Sequence, residues 1–244
     1  MTIAVALVVL LIAAQPCSAD FLITMKSESE ARPELGVAAA EETSTTWIGD
    51  KKLRENTGNR SVIVDLEAKK LFIVKHESRS FHELDIPVDI LATIPEQMRP
   101  MVDQFIASMQ MEVEVKPSDE TKEIAGYKTR KYTIHVRGGN MEMTVDQWMT
   151  NDVDFDVPAF KELMSAVLSA QPMGAEWFKD VLQIEGYPVL AETTVHIMGE
   201  ELSKTDELVS IEEKDCPQGT YAPAADYEYE PFDFMKILQE QGAM

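Results

Sequence analysis

Positive charge is scarce in this chain. Its 22 Lys and Arg stand against 43 Asp and Glu, for a formal net charge of −21. A surface of that sign repels nucleic acid and anionic lipid over long range and offers no basic face to a phosphate. Cysteine is nearly absent, with two in 244 residues. Cys17 falls in an N-terminal segment read below as removed, so the mature chain keeps only Cys216 and closes no internal disulfide. The fold must stand on its core. Glycine is sparse, and its clusters are isolated turns rather than the strand-to-helix loops that cradle phosphates.

Catalytic signatures are missing as well. The chain holds no Gly-x-Ser-x-Gly elbow and no His-Glu-x-x-His pair. The four histidines, His76, His82, His135 and His196, lack the spacing of a zinc site, which needs three or four convergent ligands. Asn151, Asp152, Asp154 and Asp156 alternate like the start of a calcium loop, but its glycine and its closing glutamate are absent. Asp156 reads better as a helix cap. Cys216-Pro217 has no histidine nearby, and paired carboxylates carry no information in so acidic a chain. The expectation is a non-enzymatic protein with no cofactor and no metal.

What is present begins with an export signal. Ile3 to Ala14 is almost wholly apolar and is followed by Pro16 and the small residues Cys17 and Ala19. That order suits a signal peptide over residues 1–19, cut after Ala19. The run is shorter than the ~20 apolar residues of a membrane span. The mature protein is therefore expected to be soluble in the periplasm or outside the cell.

Beyond Asp20 the pattern is mostly β. Phe21, Ile23 and Met25 alternate with polar positions. Residues 28–42 read as a long polar connection, and Thr43 to Ile48 as a second strand. Strands at 61–65, 70–75 and 78–84 form a meander of tight connections. The period then turns helical over Met98, Met101, Val102, Phe105, Ile106 and Met109, with Thr93 and Glu96 in capping-box spacing and Pro100 pointing to a proper start near Arg99. A short strand from Glu112 to Val115 and a charged turn lead to the strongest hairpin, 126–137 against 141–150 around Gly138-Gly139-Asn140. A second helix carries Phe160, Leu163, Met164, Val167 and Leu168 on one side, and a short third covers 175–182. Strands at 186–198 and 207–213 follow. Residues 224–244 form an acidic tail in which Phe234, Ile237 and Leu238 suit a small helix.

No regular strand–helix alternation is present, which argues against a doubly wound parallel sheet. The pattern predicts a mainly β, α+β domain over residues 20–223. Its sheet is expected to be one curved antiparallel sheet or half-open barrel with helices on the concave side, or two smaller sheets in a sandwich.

Several phrases together carry a family resemblance: Thr46-Trp-Ile-Gly-Asp-Lys-Lys-Leu-Arg54, Ser61-Val-Ile-Val-Asp65 with Lys70-Leu-Phe72, Gly126-Tyr-Lys-Thr-Arg-Lys-Tyr132, Glu142 to Thr150 around Trp148, and Gly186-Tyr-Pro-Val189. Over roughly Asp20 to Pro223 the chain resembles bacterial exported proteins of unassigned function, which in turn look like the outer-membrane lipoprotein carrier superfamily. The resemblance implies a half-open barrel plugged by helices around an apolar cavity, and it brings no catalytic residue.

Three functions follow as expectations. The first is a carrier-like module enclosing a lipid or acyl chain, with Met98, Met101, Phe105, Met109, Phe160 and Met164 lining its cavity. The second is a structural or protein-interaction domain of the cell envelope with no small ligand. The third is an uncharacterised hydrolase, which would need a cleft holding a histidine beside a carboxylate and a hydroxyl.

Overall fold

The computed structural model describes residues 20–32, 37–89, 94–108, 111–138, 141–170, 178–197 and 199–233. The expected signal, Met109 and the tail helix lie outside these residues. Among the described residues twelve strands form a single curved, open sheet in place of the two sheets of a sandwich. A first meander holds β1 (Asp20–Ser29), β2 (Ala40–Gly49), β3 (Lys52–Thr57), β4 (Arg60–Asp65), β5 (Lys70–Lys75) and β6 (Ser80–Asp85). A second holds β7 (Glu112–Ile124), β8 (Tyr127–Gly138), β9 (Met141–Thr150), β10 (Tyr187–Ile197) and β11 (Glu200–Lys214). The antiparallel pairing of β1 with β11 zips the two together. A two-residue strand, β12 (Glu228–Tyr229), adds in parallel to the outer edge of β6.

The helices are α1 (Arg99–Ser108), entered through a 3-10 turn over Glu96–Met98, α2 (Val157–Ser169) and α3 (Phe178–Leu182). Pro100 falls in the first turn of α1, where its missing N–H costs nothing. Asp156 caps α2 by accepting a hydrogen bond from the Ala159 N–H at 3.0 Å. Phe155 just outside the cap stacks edge-on against Phe160, centroids 5.9 Å apart, as a hydrophobic staple.

One expectation needs correcting. The charged stretch after Val115 is not a turn but the continuation of β7 to Ile124, bulged between Pro117 and Thr121. The tight turn lies later, at Ala125-Gly126, where both residues have positive φ. β7 is an edge strand, and charge plus a proline blunts an edge against unwanted pairing. Polarity that protects an edge looks like a loop in sequence.

Register grades the inner face, the side on which α2 packs. Phe21, Ile48, Leu53, Val64, Leu71 and Leu84 lie opposite one another across β1 to β6, a wholly apolar row. Two residues along each strand the row reads Ile23, Thr46, Glu55, Val62, Ile73 and His82. Two further on it reads Met25, Ser44, Thr57, Arg60, Lys75 and Ser80. Along β1 to β6 the inner face thus grades from wholly apolar at one end, through a mixed row, to polar at the other. At the apolar end α2 lays Leu163, Ala166 and Val167 into the main core. A second core under α3 gathers Ile134, Val136, Met149 and Ile184.

Candidate functional site

At the apolar end of the inner face an open cleft of about 410 Å³ separates the β2–β3 turn from the start of α2. Phe21, Ile48, Leu66, Phe155 and Ala159 line it with carbon, and Asp50, Lys51, Asp154, Asp156 and Glu162 stand around it. Phe155 is the keystone. Its ring centroid lies 5.6 Å from that of Phe21 and 5.2 Å from that of Tyr187, besides its contact with Phe160. Four carboxylates against one ammonium disfavour an anionic group at its rim.

Of the residues expected to line a cavity, Phe160 and Met164 are half-buried on α2 and pack against the main core. Met98 is half-buried in the 3-10 turn, Met101 of α1 is 51% exposed, and Phe105 lies in α1. Of the four whose side chains are described, Met98, Met101, Phe160 and Met164, none is among the residues lining the cleft. Phe21, Ile48 and Phe155 were missed as a site because each reads as ordinary core. The staple spacing, an aromatic before the cap and another at the fourth helical position, was the signal that could have found Phe155.

The middle row of the inner face holds a carboxyl in an awkward place. Glu55, half-buried between Thr46 and Val62 in the register, takes no hydrogen bond among the described residues, and burial pushes its pKa up against the pull of Arg60 and Lys204. Burial likewise raises that of the nearby Tyr187 phenol, with Glu55 adding to the shift. Both shifts run toward the neutral forms of these groups.

The outer face carries a different constellation. Arg54 of β3 donates from Nε to Asn56 Oδ1 at 2.7 Å and from Nη2 to Ser61 Oγ at 3.2 Å. Ser61 Oγ lies 2.7 Å from His76 Nε2, and His76 Nδ1 lies 3.0 Å from the Tyr227 hydroxyl. A serine against a histidine invites a nucleophilic reading. Its geometry speaks against one. Ser61 is 1% exposed, and the far ring nitrogen of His76 meets a phenol instead of the carboxylate that would orient a base. The set holds the C-terminal segment to the sheet.

The other histidines are dispersed. His82 Nδ1 lies 2.9 Å from the Glu230 carbonyl, His135 Nδ1 lies 3.2 Å from Thr144 Oγ1, and His196 Nε2 lies 3.9 Å from Glu201. Among the described residues no three His, Cys, Asp or Glu side chains converge as a metal site, and no helix is long and apolar enough to cross a membrane. Cys216 is half-buried, and burial raises the pKa of its thiol, which leaves it a poor nucleophile.

No curated protein matches the chain. Residues 41–227, from β2 to the segment bound by His76, match the model of a domain of unknown function, DUF4412, and the chain belongs to that family.

Proposed function

We propose that this is a non-enzymatic, exported binding domain that shelters the apolar part of an amphiphile in the cleft between α2 and the inner face of the sheet. The observation that carries the reading is the graded inner face. An apolar row ends at an open hollow with an apolar floor and a charged rim, while a mixed row and then a polar one lie further along the same strands. The likeness to the lipoprotein-carrier superfamily fits this arrangement. Each methylene taken from water contributes roughly 0.8 kcal/mol, so a short acyl segment suffices for measurable binding. The ring of carboxylates selects a ligand whose head is neutral or cationic over a free fatty acid.

Calorimetry of the purified protein with three matched twelve-carbon probes below their micelle points tests this: a trimethylammonium, a glycerol monoester and a carboxylate. The first two are expected to bind and the carboxylate to bind least. Binding by none of them overturns the ligand reading. Preference for the carboxylate overturns the selectivity.

A structural role is the second reading, favoured by the burial of Leu163, Ala166 and Val167, with which α2 fills much of the inner face itself. Export is tested separately. Sequencing the N-terminus of protein from the producing cell should read Asp-Phe-Leu, and an intact Met1 would refute processing. Asp20 is already built into the sheet, paired with Lys214 and accepting a hydrogen bond from Tyr221 at 2.8 Å.

A further inference from the structure

The segment from Asp215 to Asp233 runs as a strap across the sheet. Arg54 Nη1 donates to the Thr220 carbonyl at 3.0 Å and reaches that of Ala222 at 3.5 Å. Tyr227 meets His76 on the outer face, where Arg79 sits over its ring and pairs with Asp226. The strap then rounds the β6 edge. The Glu228 N–H donates to the Arg79 carbonyl at 2.9 Å and the Glu230 N–H to that of Phe81 at 2.8 Å. Phe232 ends against His82 and the inner core. Apart from Phe232 and the Tyr229 ring, which stacks edge-on against Phe81 with centroids 5.9 Å apart, its hold is polar and passes through few side chains.

We propose that the strap is a latch released by mild acid: protonating His76 sets a second cation beside Arg54, the residue that grips the Thr220 and Ala222 carbonyls. His76 and Arg54 share one hydroxyl, that of Ser61. Ser61 gives its hydrogen to Asn56 Oδ1, 2.8 Å away, and accepts from Arg54, so a neutral His76 donates to it from Nε2 and accepts from the Tyr227 hydroxyl at Nδ1. With His76 charged, Nδ1 carries a hydrogen as well, so Ser61 accepts from two cations and the strap's Tyr227 loses the acceptor for its hydroxyl. The charged and titratable groups reaching this site are Arg54 from β3, Arg79 from the β5–β6 turn, and Asp226 and Tyr227 from the strap. Asp226 is engaged by Arg79, so no free carboxylate among them offsets the new charge.

The sign follows from linkage. Burial, with Arg54 adding to it, holds the folded imidazole below its ordinary value of 6.5. The released strap therefore binds more protons than the docked one between the folded value and 6.5. The latch is at full strength above that window and weakens as pH falls through it. Release would bare the outer edge of β6 while the rest of the sheet stays paired.

Hydrogen exchange read by mass spectrometry on the full protein, corrected for intrinsic rates, tests the latch. Between pH 7.5 and pH 5.5 the amides of residues 226–232 should gain several-fold in exchange, while β3 to β5 stay protected. His76→Gln keeps a hydrogen-bonding side chain without the charge and should abolish the acid step. His82→Gln should leave it. An acid step that survives His76→Gln, follows His82, or involves the whole sheet overturns the latch. If the variants do not fold, the NMR titration of His76 in the native protein decides. Its midpoint must coincide with that of strap exchange, and a mismatch overturns the proposal.

Discussion

Replacing Gly186 with alanine is expected to produce one of the two largest stability losses in the molecule. Gly186 has φ +90°, and a Cβ built there meets the Thr150 carbonyl oxygen at 2.4 Å and Asn151 Oδ1 at 2.9 Å. The carbonyl cannot retreat, because Thr150 is buried and pairs with Tyr187 at the start of β10. Two penalties add. Left-handed backbone on a side-chain-bearing residue costs on the order of 1–3 kcal/mol. Forcing atoms into filled space costs about 1–3 kcal/mol more. Against the ~5–15 kcal/mol that holds a domain together, the sum is a large share. Gly126→Ala separates the two terms. Its φ is +83°, yet nothing lies within 4 Å of a Cβ there, so only strain remains. Urea midpoints of the two variants should differ, Gly186→Ala falling at least twice as far. Equal losses would refute the steric argument.

Much of the sheet was legible because strand and turn signals agreed. Ser61 to Asp65 and Lys70 to Lys75 are short apolar runs closed by charge and joined by a tight connection, and they fall in β4 and β5. Asp156 with a following apolar stripe is α2. The unreadable parts share a physical cause: polar sequence doing structural work. β7 was cut short because its edge is charged. β3 (Lys52–Thr57) was passed over because only one residue in it, Leu53, is a buried hydrophobe. Its outer side chains Arg54 and Asn56 serve the strap, and its inner Glu55 sits in the mixed row. The acidic segment after Pro223 read as a tail, yet it contributes β12 and contacts His76, His82 and Arg79. Such contacts span about 150 positions in the chain, far beyond any local periodicity.

The site escaped for the opposite reason. A methionine stripe on one helix attracts notice, since methionine adapts to irregular space. The cleft is instead assembled from residues contributed by β1, β2 and the approach to α2, which meet only because β1 pairs with β2 and Phe155 leans over both. Alternation shows that Phe21 and Ile48 face inward. It does not show that the hollow above them stays open.

Phe155→Ala tests core and site together. Phe155 is 6% exposed and its ring contacts three others, Phe21, Phe160 and Tyr187. Truncation removes the staple from α2, strips the cleft of its floor and leaves a void between helix and sheet. A buried phenylalanine cut to alanine costs about 3–5 kcal/mol. The denaturation midpoint should fall accordingly, and a loss below about 1 kcal/mol would mean that the rings are not packed as described. The softer Phe155→Leu keeps an apolar side chain and is expected to lose less stability, since shape is altered more than volume is removed. It nonetheless changes the surface that a bound chain would touch. In Phe155→Leu the affinity for the twelve-carbon trimethylammonium probe should fall while the sheet remains folded by circular dichroism. If affinity were unchanged in that folded variant, the ligand would sit elsewhere, and the cleft would be only the seam left where α2 meets the β2–β3 turn.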